Sequence, residues 1–96
     1  MSPKNKKKLD IIRKKLDLID NQLLAIIKKR TFLVNKVVKL KENKSEIVDQ
    51  KRISSILKNI KAKSIKNNID PKITNRIWKN MIWSYINYER RNFKKK

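Results

Sequence analysis

The sequence predicts an all-α fold with three helices per chain, one long and two shorter, assembled as an intertwined helical homodimer. Three observations carry this expectation. Apolar residues recur at helical spacing from Leu9 to Lys41, and again after Asp49 and after Asp70. Glycine is absent and neither of the two prolines falls between Leu9 and Lys41, while no run alternates as a strand would. The helices are also unequal in length, so the long one cannot be covered by the other two.

The long helix is read from the steps of three and four that join Leu9, Ile12, Leu16, Ile19, Leu23, Ile26, Arg30, Leu33, Val37 and Lys41. About 33 residues give a rod of roughly 50 Å. Residues 1–8 precede it as a basic, disordered tail. A polar break, Glu42 to Glu46, follows it. The second helix is expected from Asp49, a good N-cap, with Ile53, Ile56, Leu57 and Ile60 on one face, fading through Lys66, Asn67 and Asn68. Asp70-Pro71 restarts the chain as N-cap and first helical residue. The third helix carries Ile73, Ile77, Trp78, Met81, Ile82, Tyr85, Ile86 and Tyr88 and ends near Phe93, before a basic tail at 94–96. Residues 9–93 thus form one domain. The shorter helices span roughly 25 and 33 Å, so a second copy is the simplest cover for a 50 Å seam.

Composition removes whole classes of chemistry. Cysteine is absent, which excludes disulfides and thiolate metal sites, and histidine is absent, which excludes the usual general base and the commonest metal ligand. Without glycine there is no phosphate-cradling loop. The net charge of +20, from 28 Lys and Arg against 8 Asp and Glu, invites a nucleic-acid-binding reading. The cations are spread through every segment, however, and fit solvated faces in a Lys-, Asn- and Ile-rich chain, so nucleic acid is not the expected partner. No apolar run reaches the roughly 20 residues of a membrane span, and the N-terminal residues lack the apolar core of a signal peptide. The expectation is a soluble, cytoplasmic protein.

Arg30 and Lys41 occupy seam positions where an apolar residue belongs. They are 11 residues apart, which places them about 20° apart around a helix and about 16 Å apart along it. A cation on a buried seam is costly without a partner, and two long side chains leaning together leave a gap suited to a small dicarboxylate. Arg13 points elsewhere on the same helix and could reach the pocket of a second copy. On the third helix, Trp78, Ile82, Tyr85 and Glu89 share a face, so Glu89 ends an apolar and aromatic stripe. Burial favours its protonated, donating form and neighbouring cations oppose it; the sequence leaves that balance open. Arg52, in the first turn of the second helix, is a further candidate anion contact. Singly, each has a bland reading: Lys41 snorkels, Glu89 pairs on the surface, Arg13 is solvated and Asp49 is a cap. The joint pattern is what those readings explain poorly.

In this order and spacing the chain resembles the all-helical (type II) chorismate mutase family. Leu9-Asp10-Ile11-Ile12-Arg13-Lys14-Lys15-Leu16-Asp17-Leu18-Ile19-Asp20 is similar to that family's opening, Leu23 to Arg30 to its continuation, Val37-Val38-Lys39-Leu40-Lys41 to the end of its first helix, and Ile47-Val48-Asp49-Gln50-Lys51-Arg52 to the start of its second. The resemblance implies that Arg30 holds one substrate carboxylate, that Arg13 reaches the other from the neighbouring subunit, and that Lys41 donates to the ether oxygen and a carboxylate. Glu89 would contact the same oxygen, with Asp49 and Arg52 at the pocket edge. It further implies the rearrangement of chorismate to prephenate in aromatic amino acid biosynthesis, a unimolecular pericyclic reaction that requires no nucleophile, base, metal or cofactor. Two positions depart from the family pattern. Ile53 stands where a Glu binds the ring hydroxyl, and Tyr85 where a small polar residue is common. Both resemble the isochorismate-pyruvate lyase branch, which makes salicylate and pyruvate, although that branch commonly has Gln at the position of Glu89. The candidate substrate-binding set is therefore Arg13, Arg30, Lys41, Asp49, Arg52, Ile53, Tyr85 and Glu89, and a non-catalytic basic helical nucleic-acid binder is the alternative of another class.

Overall fold

A computed structural model describes residues 1–94. It is all-helical, in the order α1 (Pro3–Leu40), a short 3-10 turn (Lys44–Glu46), α2 (Gln50–Lys66) and α3 (Pro71–Asn92). Among the described residues there is no strand, and no helix is long and apolar enough to cross a membrane. The chain divides into two compact units, Met1–Leu33 and Val34–Lys96.

In the first unit α1 starts six residues earlier than the apolar spacing indicates. Ser2 and Pro3 explain the difference. The Ser2 hydroxyl accepts from the Asn5 N–H at 3.2 Å, and its carbonyl accepts from the Lys6 N–H at 2.9 Å. Proline follows at the first helical position, where it gives up no hydrogen bond. Lys4 to Lys8 are consequently helical and exposed instead of a disordered tail. No residue of this unit is buried. Leu16, Leu23 and Ile26 on the expected seam remain 52%, 50% and 58% exposed, and Ile12 and Ile19 are exposed as well.

The second unit contains the last turns of α1 and everything after them. Here α1 turns a different side inward from the one the seam spacing traces. Val38 is buried and Val34 and Asn35 are half-buried, whereas Val37 is exposed. Helix α1 ends at Leu40, with the Lys41 N–H closing a tighter turn onto the Val38 carbonyl at 3.2 Å. The polar break is organised by Glu46, whose Oε2 accepts from the backbone N–H groups of Glu42 and Asn43.

Asp49 is the N-cap of α2, its Oδ1 accepting from the Arg52 N–H at 3.0 Å. Helix α2 stops in a chain without glycine by placing Asn68 at φ 57°. Asparagine tolerates this left-handed region better than most residues. The Asn68 and Ile69 N–H groups then satisfy the carbonyls of Ile65 and Ser64, a Schellman closure. Asp70 and Pro71 start α3 as expected, with Asp70 Oδ1 accepting from the Lys72 N–H at 2.9 Å. Helices α2 and α3 pack side by side. Their core is Ile47, Ile82 and Ile86, with Val48, Ile53, Ile56, Leu57 and Phe93 against it. At the turn end of the pair a buried hydroxyl relay joins the helices. Ser64 Oγ donates to the Ile60 carbonyl at 2.6 Å, which leaves Thr74 Oγ1 to donate to Ser64 at 2.6 Å. Helix α3 ends at Asn92; of the tail expected at 94–96, Lys94 is exposed and residues 95 and 96 lie outside the described residues.

Candidate active site

The centre of the candidate site is an ion pair. Lys41 Nζ donates to Glu89 Oε1 at 3.0 Å, with side-chain exposures of 19% and 9%. The two residues come from positions 48 apart: Lys41 just beyond the end of α1, Glu89 in the last turns of α3. Glu89 is buried because the stripe Trp78–Ile82–Tyr85–Glu89 is a covered side of α3. Ile82 is buried with it, and Trp78 and Tyr85 are half-buried. A carboxylate at that depth is tolerated because a cation meets it at hydrogen-bonding distance. The cation that the seam pattern marked as needing an anionic partner thus finds one within its own chain.

A second polar contact runs beside the first. Tyr88 Oη donates to Asn35 Oδ1 at 2.8 Å. The Tyr88 ring stands edge-on to that of Tyr85, at 6.4 Å between centroids and 85° between planes. Tyr85, a candidate from the sequence, therefore sits in an aromatic pair one turn before Glu89. Asn35 and Tyr88 were missing from the candidate set. Asn35 lies off the seam, and Tyr88 looks like one more core aromatic; only their meeting marks them.

Asp49 and Lys41 line one open depression of about 550 Å³, together with Glu46, Val48, Gln50 and Lys51. Asp49 is exposed and engaged as the α2 cap, and Arg52, whose N–H it holds, has an exposed side chain. Ile53 is placed differently from the polar candidates, packed against the Ile47–Ile82–Ile86 core. Arg13 and Arg30 belong to the first unit, where Arg13 is exposed and Arg30 half-buried. Among the described residues no group of three or more carboxylates gathers to hold a metal ion.

The second unit therefore offers a fixed ammonium with donor capacity to spare. A lysine carries three N–H donors, and one is committed to Glu89. The other two are available to an acceptor entering beside the pair. Such a site can stabilise developing negative charge and orient an anion. Against known protein families, the chain matches the model for chorismate mutase type II over residues 12–90. No curated protein and no solved structure matches.

Proposed function

Because the chain belongs to the chorismate mutase type II family, we propose that it catalyses the rearrangement of chorismate to prephenate, working as a homodimer. The observation that carries this reading is the Lys41–Glu89 pair, a buried carboxylate holding a cation that still has two free donors. In the reaction the ether C–O bond breaks as a C–C bond forms within one molecule, and negative charge grows on the ether oxygen. Lys41 donates to that oxygen and to a neighbouring carboxylate, while Glu89 fixes the ammonium in place. Arg30 binds one carboxylate of the substrate, and Arg13 of the second copy binds the other. Asp49 and Arg52 border the site. Catalysis of this kind is preorganisation: the folded substrate shape is held and the donors already point where charge develops. Even the low end of enzymatic acceleration, about a millionfold, asks for about 8 kcal/mol. Fixed cations in a site closed by the second copy would supply much of it.

The dimer is supported by the uncovered seam. Ile12, Leu16, Ile19, Leu23, Ile26, Leu33 and Val37 repeat at packing distance and are all exposed in the single chain. A second copy of the same helix presents the matching row.

Incubating the purified protein separately with chorismate and with isochorismate tests the assignment. Prephenate from chorismate is the expected result. Salicylate and pyruvate from isochorismate, without prephenate, would select the lyase branch that Ile53 and Tyr85 resemble. No product from either, together with steeply salt-dependent binding to nucleic acid, would replace the enzyme with the basic-binder alternative.

A further inference from the structure

We propose that Tyr88 is a positioning residue for this reaction, its hydroxyl latched by Asn35 so that α3 presents Tyr85 and Glu89 in a single register to Lys41. The inference rests on the chorismate reading above and adds two residues to it. Packing on α2 seats α3, but the exit of α1 would be free to pivot about a lone Lys41–Glu89 contact. The Tyr88–Asn35 bond supplies a second point: its donor is the residue before Glu89 on α3, and its acceptor lies six residues before Lys41, about 9 Å away at helical rise. Successive helical residues project about 100° apart, so the two bonds constrain rotation of α3 as well as sliding. The same Tyr88 ring is the edge-on neighbour of Tyr85. The hydrogen bond from Tyr88 to Asn35 therefore fixes the exit of α1 against the part of α3 that carries both Tyr85 and Glu89.

Tyr88 is half-buried, so water could satisfy its hydroxyl if Asn35 were lost. A merely structural hydroxyl would then be replaceable without kinetic effect. A latch would not, because small displacements of a preorganised donor are felt mainly in the transition state.

Steady-state kinetics of prephenate formation, with urea unfolding as a control, separates these. Tyr88→Phe and Asn35→Leu are each expected to lower kcat about tenfold with KM within about twofold. The double variant Asn35→Leu/Tyr88→Phe should be no worse than either single. Asn35→Asp keeps an oxygen to accept from Tyr88 and should return kcat to within about threefold of wild type. If Tyr88→Phe is compromised in folding, the contrast between Asn35→Asp and Asn35→Leu decides alone. Wild-type kcat in Tyr88→Phe, or equal impairment in Asn35→Asp and Asn35→Leu, overturns the latch while leaving the mutase assignment intact. A wild-type chain that forms no prephenate overturns the assignment and the latch together, and is seen before any variant is made.

Discussion

Separating the two halves of the Lys41–Glu89 pair gives unequal outcomes, and the inequality can be worked from the structure. Lys41→Met removes the cation and leaves a carboxylate only 9% exposed, with its Oε1 stripped of its donor. Breaking a buried pair in this way costs about 3–5 kcal/mol, and the residual exposure places this case near the lower end. Glu89→Gln instead keeps an amide oxygen that can accept from the ammonium, and that ammonium is 19% exposed and can recruit water. The loss is then close to the difference between an ammonium–carboxylate and an ammonium–amide hydrogen bond, about 1 kcal/mol. In the double variant Lys41→Met/Glu89→Gln no charge is stranded, so stability should recover to within about 1–2 kcal/mol of wild type.

Urea unfolding followed by circular dichroism, at one fixed protein concentration because association of the proposed dimer would contribute to stability, reads these differences as shifts in midpoint at constant slope. The activity order is expected to be different. Lys41→Met should lose at least about a hundredfold in kcat, since the donor proposed for the ether oxygen is gone, and the double variant should stay as inactive as Lys41→Met despite its recovered stability. Equal destabilisation by Lys41→Met and Glu89→Gln, or strictly additive effects in the double variant, would refute the picture of a buried carboxylate dependent on one cation.

Three further outcomes follow from the same geometry. If Arg13 and Arg30 of one site come from different copies, Arg13→Ala and Arg30→Ala proteins should each be nearly inactive, yet unfolding and refolding an equimolar mixture should restore about a quarter of wild-type sites; a mixture as inactive as its components would place both arginines in one copy or outside the site. Leu23→Asp sets a carboxylate on each side of the proposed seam, at several kcal/mol of desolvation and repulsion, and sedimentation should show monomer at micromolar concentrations where the proposed wild-type dimer is expected to persist. The φ of 57° at Asn68 predicts that Asn68→Gly is neutral or slightly stabilising, whereas Asn68→Val costs about 1–2 kcal/mol in the thermal or urea midpoint.

Much of this architecture is written locally and could be read in advance. Asp49 and Asp70-Pro71 start their helices because the capping side chain, the backbone it serves and the proline all lie within four residues of one another. The same chemistry at Ser2-Pro3 went unread for a physical reason. An apolar-spacing criterion recognises helices that bury a face, and the first turns of α1 bury nothing, standing on capping and on the helix propensity of lysine. At the site, periodicity marked Lys41 and Glu89 as misplaced charges but could not pair them, since their meeting depends on how the exit of α1 approaches the end of α3. Asn35, Tyr88, Ser64 and Thr74 are ordinary polar or aromatic residues until a partner from a distant segment arrives.

The last turns of α1 sharpen this point, because two different requirements are written over one another there. Within the second unit the inward side is the one bearing Val34, Asn35 and Val38, and it meets α3 through Tyr88. Val37, next to Val38 and about 100° around the helix, continues the Leu9-to-Lys41 row and stays exposed. A helix whose only task was to pack on its own α3 would gain nothing from a second apolar row, and solvent would favour a polar residue at Val37. Two adjacent apolar sides on one helix call for two partners. One is already in the chain; the other is what the proposed second copy provides, and with it the Arg13 that completes the proposed site.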